Sequence, residues 1–268
     1  MALTDNIVSY YKLDEATGDV VDSTENYNGT NYGATRGVSG KIEEAFSFNG
    51  SSDYVLTTHP LTSNPFSVSI WFKTDVNNAS KAISQGVGTS GRERFSIRDY
   101  NGNLMIRQDR DSGGNLATGS TALSTDTWYH VVIVSNSAGF TAYLNNVEEC
   151  SLVNADALYT GSNIGLVFGA GPRVADFFFS GDLDEVGIWD RELTEEEISE
   201  LYNSGNGLSY PFTTPPDPDP TAAPTTSGTV QEGAGGIGTR YIAKRYPATE
   251  GLVAGSTKQT GTGILEEE

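Results

Sequence analysis

Residues 177–203 constrain this chain more than any other stretch, because a strand pattern runs directly into a capped helix pattern there. Leu183, Val186, Ile188 and Trp189 supply β-branched and aromatic bulk with acids interleaved, which predicts a strand. Thr194 followed three residues later by Glu197 forms a capping box, and Leu193 and Ile198 stand in hydrophobic-staple positions. Ile198, Leu201 and Tyr202 make one apolar stripe, and Glu195 and Glu196 favour the positive end of the helix dipole. Gly205 is a stop signal, so the pattern predicts one short helix over about 194–203.

The rest of the chain alternates rather than turns. Phe66, Val68, Ile70 and Phe72 point one way, while Ser67, Ser69, Trp71 and Lys73 point the other. Strand patterns also cover 7–13, 44–49, 53–57, 94–99, 104–108, 128–134, 140–145 and 164–168, while 20–29 reads as a polar loop. Asn101-Gly102 is a strong hairpin signal. Regularly spaced strands without intervening helices, together with 31 Gly and 10 Pro, predict an all-β sandwich or jelly roll.

The composition breaks after Phe212. Residues 213–227 are rich in Pro and Thr and predict an extended spacer, about 40 Å long at ~3.1 Å per residue over roughly 14 residues. Residues 228–268 carry too little bulk to close a core alone, which suits an attachment or oligomerisation segment. The expected organisation is therefore a domain at 1–212, a linker at 213–227 and that segment at 228–268.

The formal charge of −19 argues against neutralising nucleic-acid phosphates. Twelve basic and 28 acidic residues fall in 1–212, so the acidity belongs to the sandwich. No apolar run reaches the ~20 residues of a membrane span, which predicts no membrane insertion. The N-terminal residues lack the basic and apolar regions of a signal peptide, and the single cysteine, Cys150, cannot pair within the chain.

Five stretches together resemble one family. Residues 8–31 (VSYYKLDEATGDVVDSTENYNGTN), 45–55 (AFSFNGSSDYV), 66–72 (FSVSIWF), 128–145 (WYHVVIVSNSAGFTAYLN) and the closing 177–203 resemble, in order and spacing, the laminin-G-like group of concanavalin A-like lectin and glucanase jelly rolls. Asn146 replaces the glycine that closes the fourth motif. The resemblance covers about residues 5–210. It implies an all-β, two-sheet antiparallel jelly-roll sandwich, and such folds host glycan-binding modules, hydrolases and protein-binding modules.

The resemblance also implies a structural Ca2+ between the opening loop and the closing strand. Asp22 and Asp184 are carried over as its acids, with Asn28 and the Gly50 carbonyl completing the oxygen shell. The plainer alternative is that Asp22 caps a turn and Asp184 accepts from its neighbouring amides. Related retaining glucanases carry E-x-D-x-x-E on one strand; here Asp182 and Asp184 match its start, but Gly187 stands in place of the second glutamate. His59 and His130 belong to no triad motif, and Cys150 to no catalytic one.

A glycan site needs an aromatic platform and a few planar polar groups. Arg98, Tyr100, Asn101, Arg107 and Arg110 are the candidates, because 92–110 holds five of the domain's twelve basic residues and suits acidic sugars or protein carboxylates. The alternative is a charged sheet face with local pairing. Trp71, Trp128 and Trp189 sit in strand motifs, so at least two are expected in the core.

These features lead to a non-enzymatic adhesion module on a larger assembly, namely the surface of a bacteriophage virion reached by host lysis. Residues 228–268 would dock on capsid or tail proteins or build a homo-oligomer, and the jelly roll would meet surface glycans or polysaccharide. An extracellular location by a route without a signal peptide is the other setting. A decoration protein making only protein contacts, or a glycoside hydrolase, is the alternative function.

Overall fold

The computed structural model describes residues 1–59, 64–76, 81–88, 93–110, 113–153, 163–171 and 177–212, with backbone only at 81–88, 93–94, 109–110, 113 and 163–164. The linker and the C-terminal segment expected at 213–227 and 228–268 lie outside the described residues.

Among the described residues, fifteen strands and one helix follow in order. The strands are β1 (Ile7–Tyr11), β2 (Gly29–Tyr32), β3 (Thr35–Ser39), β4 (Glu44–Asn49), β5 (Tyr54–Thr57), β6 (Phe66–Thr74), β7 (Lys81–Gly88), β8 (Glu93–Tyr100), β9 (Asn103–Arg110), β10 (Gly113–Ala122), β11 (Trp128–Ser135), β12 (Gly139–Leu144), β13 (Val147–Val153), β14 (Asn163–Phe168) and β15 (Ser180–Trp189). The helix is α1 (Glu195–Tyr202), followed by a 3-10 turn over Asn203–Gly205.

Among the described residues, all the pairings are antiparallel. One sheet has eight strands in the order β13-β12-β11-β6-β15-β4-β3, with β1 also on β15; the other has seven, in the order β10-β9-β8-β7-β14-β5-β2. This is the jelly-roll sandwich that the alternation predicts.

β15 is central to the first sheet. β6 runs along one side of it, while β4 takes its first half (Leu183 opposite Phe46) and β1 its second (Tyr11 opposite Val186). Where the two partners change over, Glu185 adopts φ +51° and an extra residue bulges between Asp184 and Gly187. The bulge keeps Leu183, Val186 and Ile188 in the core while Asp184 and Glu185 stay out of it.

The core lies between the sheets. Phe66, Val68, Ile70 and Phe72 of β6 meet Phe95, Ile97, Leu104, Ile106, Leu166 and Phe168 of the seven-stranded sheet. The opposite side of β6 is not solvent-facing: Ser67, Ser69 and Trp71 are buried too. A second apolar layer covers them, in which Val132, Trp189, Leu193, Ile198 and Leu201 pack together beneath α1 and are joined by Leu208 and Phe212.

The helix forms for the reasons its residues suggest. The Thr194 side chain accepts from the Glu197 amide, and the Glu197 carboxylate accepts from the Thr194 amide. Asn203, not a glycine, supplies the left-handed C-cap at φ +48°. Tight hairpins behave similarly. Asn101 and Gly102 join Tyr100 to Asn103 at φ +53° and +78°. Asn145 and Asn146 join β12 to β13 at φ +49° and +68°, so asparagine replaces the missing glycine without loss of the turn.

Candidate functional site

Neighbouring residues point to opposite faces of a sheet, so the core positions of the seven-stranded sheet identify its outer ones. Ile97 and Ile106 face the core, hence Ser96, Arg98, Met105 and Arg107 face outward. Val55 faces the core as well, hence Tyr54 and Leu56 face outward and gather with Val167, Ala170 and Phe178 into a separate apolar cluster.

One row of directly opposed residues crosses all seven strands: Thr30, Leu56, Val167, Gln85, Ser96, Arg107 and Leu116. Arg98 lies beside this row, opposite Met105. Its guanidinium sits 4.2 Å from the ring centre of Phe177, and its Nε donates to the Ser96 hydroxyl at 3.1 Å.

The residues expected to bind glycan therefore divide. Tyr100 is 42% exposed and Asn101 is exposed, both at the β8–β9 hairpin, and Arg107 is half-buried. Arg98 is only 2% exposed beneath Phe177, so it serves as the floor of this face and not as a first contact. The Arg110 side chain lies outside the described residues.

Four more rings stand on this face that no sequence motif marks for binding. Tyr32 and Tyr54 stack across β2 and β5 with centroids 4.5 Å apart at 15°, while Phe177 and Phe178 return over the sheet from the other side. The Tyr54-Val55-Leu56 alternation carried a signal for one of them. β2 carried almost none, because Gly29-Thr30-Asn31-Tyr32 is short and polar.

Three of the four calcium candidates accept hydrogen bonds from the chain itself. Asp22 is fully buried and saturated: one oxygen accepts from the Tyr10 amide and from the Thr24 amide and hydroxyl, the other from the Tyr27 amide, all at 2.8–2.9 Å. Asn28 uses its oxygen on the Asp22 amide at 2.9 Å. Gly50 packs against Ser180, four residues from Asp184 and so about 13 Å away along β15 at ~3.3 Å per residue. Asp184 accepts from the Lys41 and Ile42 amides at 2.8 and 3.0 Å through one oxygen, leaving the other buried without a hydrogen bond. Among the described residues no group of three or more His, Cys, Asp and Glu is placed to hold a metal ion. Asp22 and Asp184 thus both accept hydrogen bonds from backbone amides.

Burial pushes the Asp184 carboxyl up to about 9, with the Glu185 charge adding to it and the two amides opposing. Glu185 is raised to about 7, again chiefly by burial, and accepts from the Tyr10 hydroxyl. Asp182, the other acid of the glucanase-like pair, is 2.7 Å from Lys73.

Each histidine sits beside a serine. The His130 Nε2 lies 2.8 Å from the Ser69 hydroxyl, and its ring forms a three-ring cluster with Trp71 and Tyr202. Its Nδ1 is buried and unbonded, so the dyad has no third member. Burial lowers His130 to about 3 and His59, 3.1 Å from Ser9, to about 4. Cys150 is half-buried with its thiol pushed up to about 11 by burial, which keeps it protonated and unreactive. Trp189 is buried in the second layer, Trp71 is buried against His130 and Tyr202, and Trp128 is half-exposed under Lys73.

A family model described as the concanavalin A-like lectin/glucanases superfamily matches residues 49–199. No curated protein matches the chain in sequence. Among solved structures, domain 4 of AbnA, a GH43 extracellular arabinanase from Geobacillus stearothermophilus in complex with arabinotriose, is 24% identical with a TM-score of 0.60, over 76% of this chain and 98% of that domain. The receptor binding domain of botulinum neurotoxin mosaic serotype C/D is 20% identical with a TM-score of 0.60, over 75% of this chain and 51% of its own. The ligand binding domain of botulinum neurotoxin serotype D, in complex with N-acetylneuraminic acid, is 18% identical with a TM-score of 0.57, over 74% and 51%. This chain thus spans about half the length of the toxin domains, and all three likenesses concern the fold.

Proposed function

The chain belongs to the concanavalin A-like lectin/glucanases superfamily, and on that premise we propose that its sandwich is a non-enzymatic carbohydrate-binding module. The observation that carries this reading is the outer face of the seven-stranded sheet, where exposed rings (Tyr32, Tyr100, Phe177) and the Arg107 guanidinium share one surface. Aromatic faces stack on the C–H side of a sugar, and guanidinium groups take its oxygens in a planar fork. A domain of the same fold in complex with arabinotriose, and another with N-acetylneuraminic acid, support it. The acids that a glucanase would use are engaged elsewhere, Asp182 by Lys73 and Asp184 by the 41–42 amides.

The setting we propose is display on a larger assembly, a virion surface, with 228–268 docking on capsid or tail proteins. The Pro/Thr-rich 213–227 and the low bulk of 228–268 support it. Within the sandwich, Phe212 packs against Tyr10 and Trp189. Repeated copies would turn weak single contacts into avidity.

The test is a broad glycan array probed with the full chain. Binding to a restricted set of glycans is expected, weakened about tenfold by Arg107→Ala or Tyr100→Ala. Absence of signal across the array would sink the reading, and release of reducing ends from a bound polysaccharide would replace it with a hydrolase.

A further inference from the structure

We propose that the free edge of β10, over residues 113–118, docks a second copy of this chain, the two edges pairing antiparallel about a twofold axis. This goes beyond the carbohydrate reading and does not depend on it.

A sheet edge offers unpaired amides and carbonyls to any extended chain, and folded proteins blunt such edges with bulges, charges or covering segments. Among the described residues, β1, β2, β3, β10 and β13 each have a single strand partner. Four of them carry such a device. Beside β1, the Tyr10 amide donates to Asp22 at 2.9 Å and the Ser23 amide to the Tyr10 carbonyl at 2.7 Å. β2 is bridged by Val20, whose amide and carbonyl exchange 2.8 Å bonds with those of Gly29. β3 breaks register between Thr35 and Val38, and its Arg36 donates to the carbonyls of Glu15 and Gly18 at 2.9 and 2.7 Å. β13 breaks register against β12 and carries Glu148 and Glu149.

The second half of β10 is treated in the same way, because the Glu149 carboxylate takes both the Thr121 amide and the Thr121 hydroxyl at 2.7 Å. The first half is not. Gly113 to Thr118 pair in unbroken register with Arg110 to Met105 of β9. Among the described residues, the Cys150 thiol, 3.9 Å from the Ala117 carbonyl, is the one other polar contact of this half. Gly114, Leu116 and Thr118 are exposed, Leu116 to 57%.

Charge selects the partner. Residues 1–212 hold 28 acids against 12 bases, so two copies repel wherever their acids meet. Residues 113–122 contain no charged side chain, so copies can approach there, whereas β13 would bring Glu148 and Glu149 against themselves. The strand is also complementary to itself. Identical strands paired antiparallel are related by a twofold axis perpendicular to the sheet, an isologous contact that closes at two. Leu116 lies opposite outward-facing Arg107, so its two copies stand on one face of the joined sheet, within reach of each other in a register centred on Asn115 or Leu116. Growth stops there, because β2 at the far ends is bridged by Val20. Both outer faces look the same way, which makes the pair bivalent towards a surface. So short an edge buries less than a standard interface, and a weak, concentration-dependent dimer is expected.

The experiment is sedimentation velocity of the full chain from micromolar to millimolar concentration, with backbone hydrogen exchange measured at both ends of that range. A monomer–dimer equilibrium is expected, with amides of 113–118 exchanging more slowly at high concentration. Leu116→Glu and Thr118→Glu place like charges across the twofold axis at exposed positions and should each weaken the dimer about tenfold at unchanged melting temperature. Leu116→Val should keep it. A chain that stays monomeric at millimolar concentration overturns the proposal. So does a dimer that both glutamate variants leave intact, or one without protection at 113–118, because assembly then runs through another surface. The glycan array is read separately, so this proposal and the carbohydrate reading fail by different results.

Discussion

Arg191 and Glu197 tie the two ends of the domain together, and removing either should cost far more than a surface ion pair. Both are buried, at 8% and 4% exposure. The pair is bidentate: the two terminal nitrogens of Arg191 donate to the two carboxylate oxygens at 2.6 and 2.7 Å. Arg191 also donates to the carbonyls of Ala2 and Asp5 at 3.0 and 2.8 Å, while Glu197 caps α1 through the Thr194 amide at 2.9 Å. Breaking a buried pair by deleting one partner costs about 3–5 kcal/mol, because the other charge stays behind unpaired. Glu197→Ala removes a capping-box member as well, so we expect about 4 kcal/mol, or a fall in Tm of ~8–16 °C for a domain of this size. The double variant Arg191→Met/Glu197→Leu should lie closer to the wild type than either single change. Urea unfolding followed by the fluorescence of buried Trp71 and Trp189 measures all of them. Burial acts to raise the Glu197 carboxyl, but the Arg191 hydrogen bond, the Thr194 amide and the Arg191 charge outweigh it and hold it below its ordinary value. The contribution is thus present above about pH 4.3 and lost as pH falls through the folded value. Single variants within 1 kcal/mol of wild type at pH 7 would refute the reasoning.

Two further changes probe the closing strand. Asp184 is raised to about 9, above its unfolded value, so its contribution is full below about pH 4 and is lost as pH rises through 9. Asp184→Asn keeps an acceptor for the Lys41 and Ile42 amides and should flatten the decline of Tm between pH 5 and 9; a calcium-dependent Tm rise in wild type alone would instead reinstate Asp184 as a ligand. Gly181 has φ +139°, and a Cβ there would lie 2.1 Å from the Lys73 carbonyl oxygen, so Gly181→Ala should cost about 3 kcal/mol or more in the same urea assay.

Local patterns decided a good deal about this protein by themselves. The alternation over 66–73, the Asn101-Gly102 turn and the Thr194/Glu197 box each draw on neighbours within a few residues, and each appears as expected. β2, β3, β7, β10 and β13 were not legible. They are short, glycine-bearing or polar at edges, and they become strands through partners farther along the chain, such as Tyr54 for Tyr32 or Val167 for Gln85. The same limit governed the site. An outward-pointing residue reads identically in sequence whether or not something covers it. Only the tertiary structure laid α1 and the 207–212 segment over Trp71, His130 and Trp189, and set Phe177 over Arg98. Asp184 shows the reason most plainly: its place on β15 follows from alternation, but its burial comes from the amides of residues 41 and 42, more than 140 positions away in the chain. Local chemistry sets which way a side chain points, and non-local packing sets what it meets there.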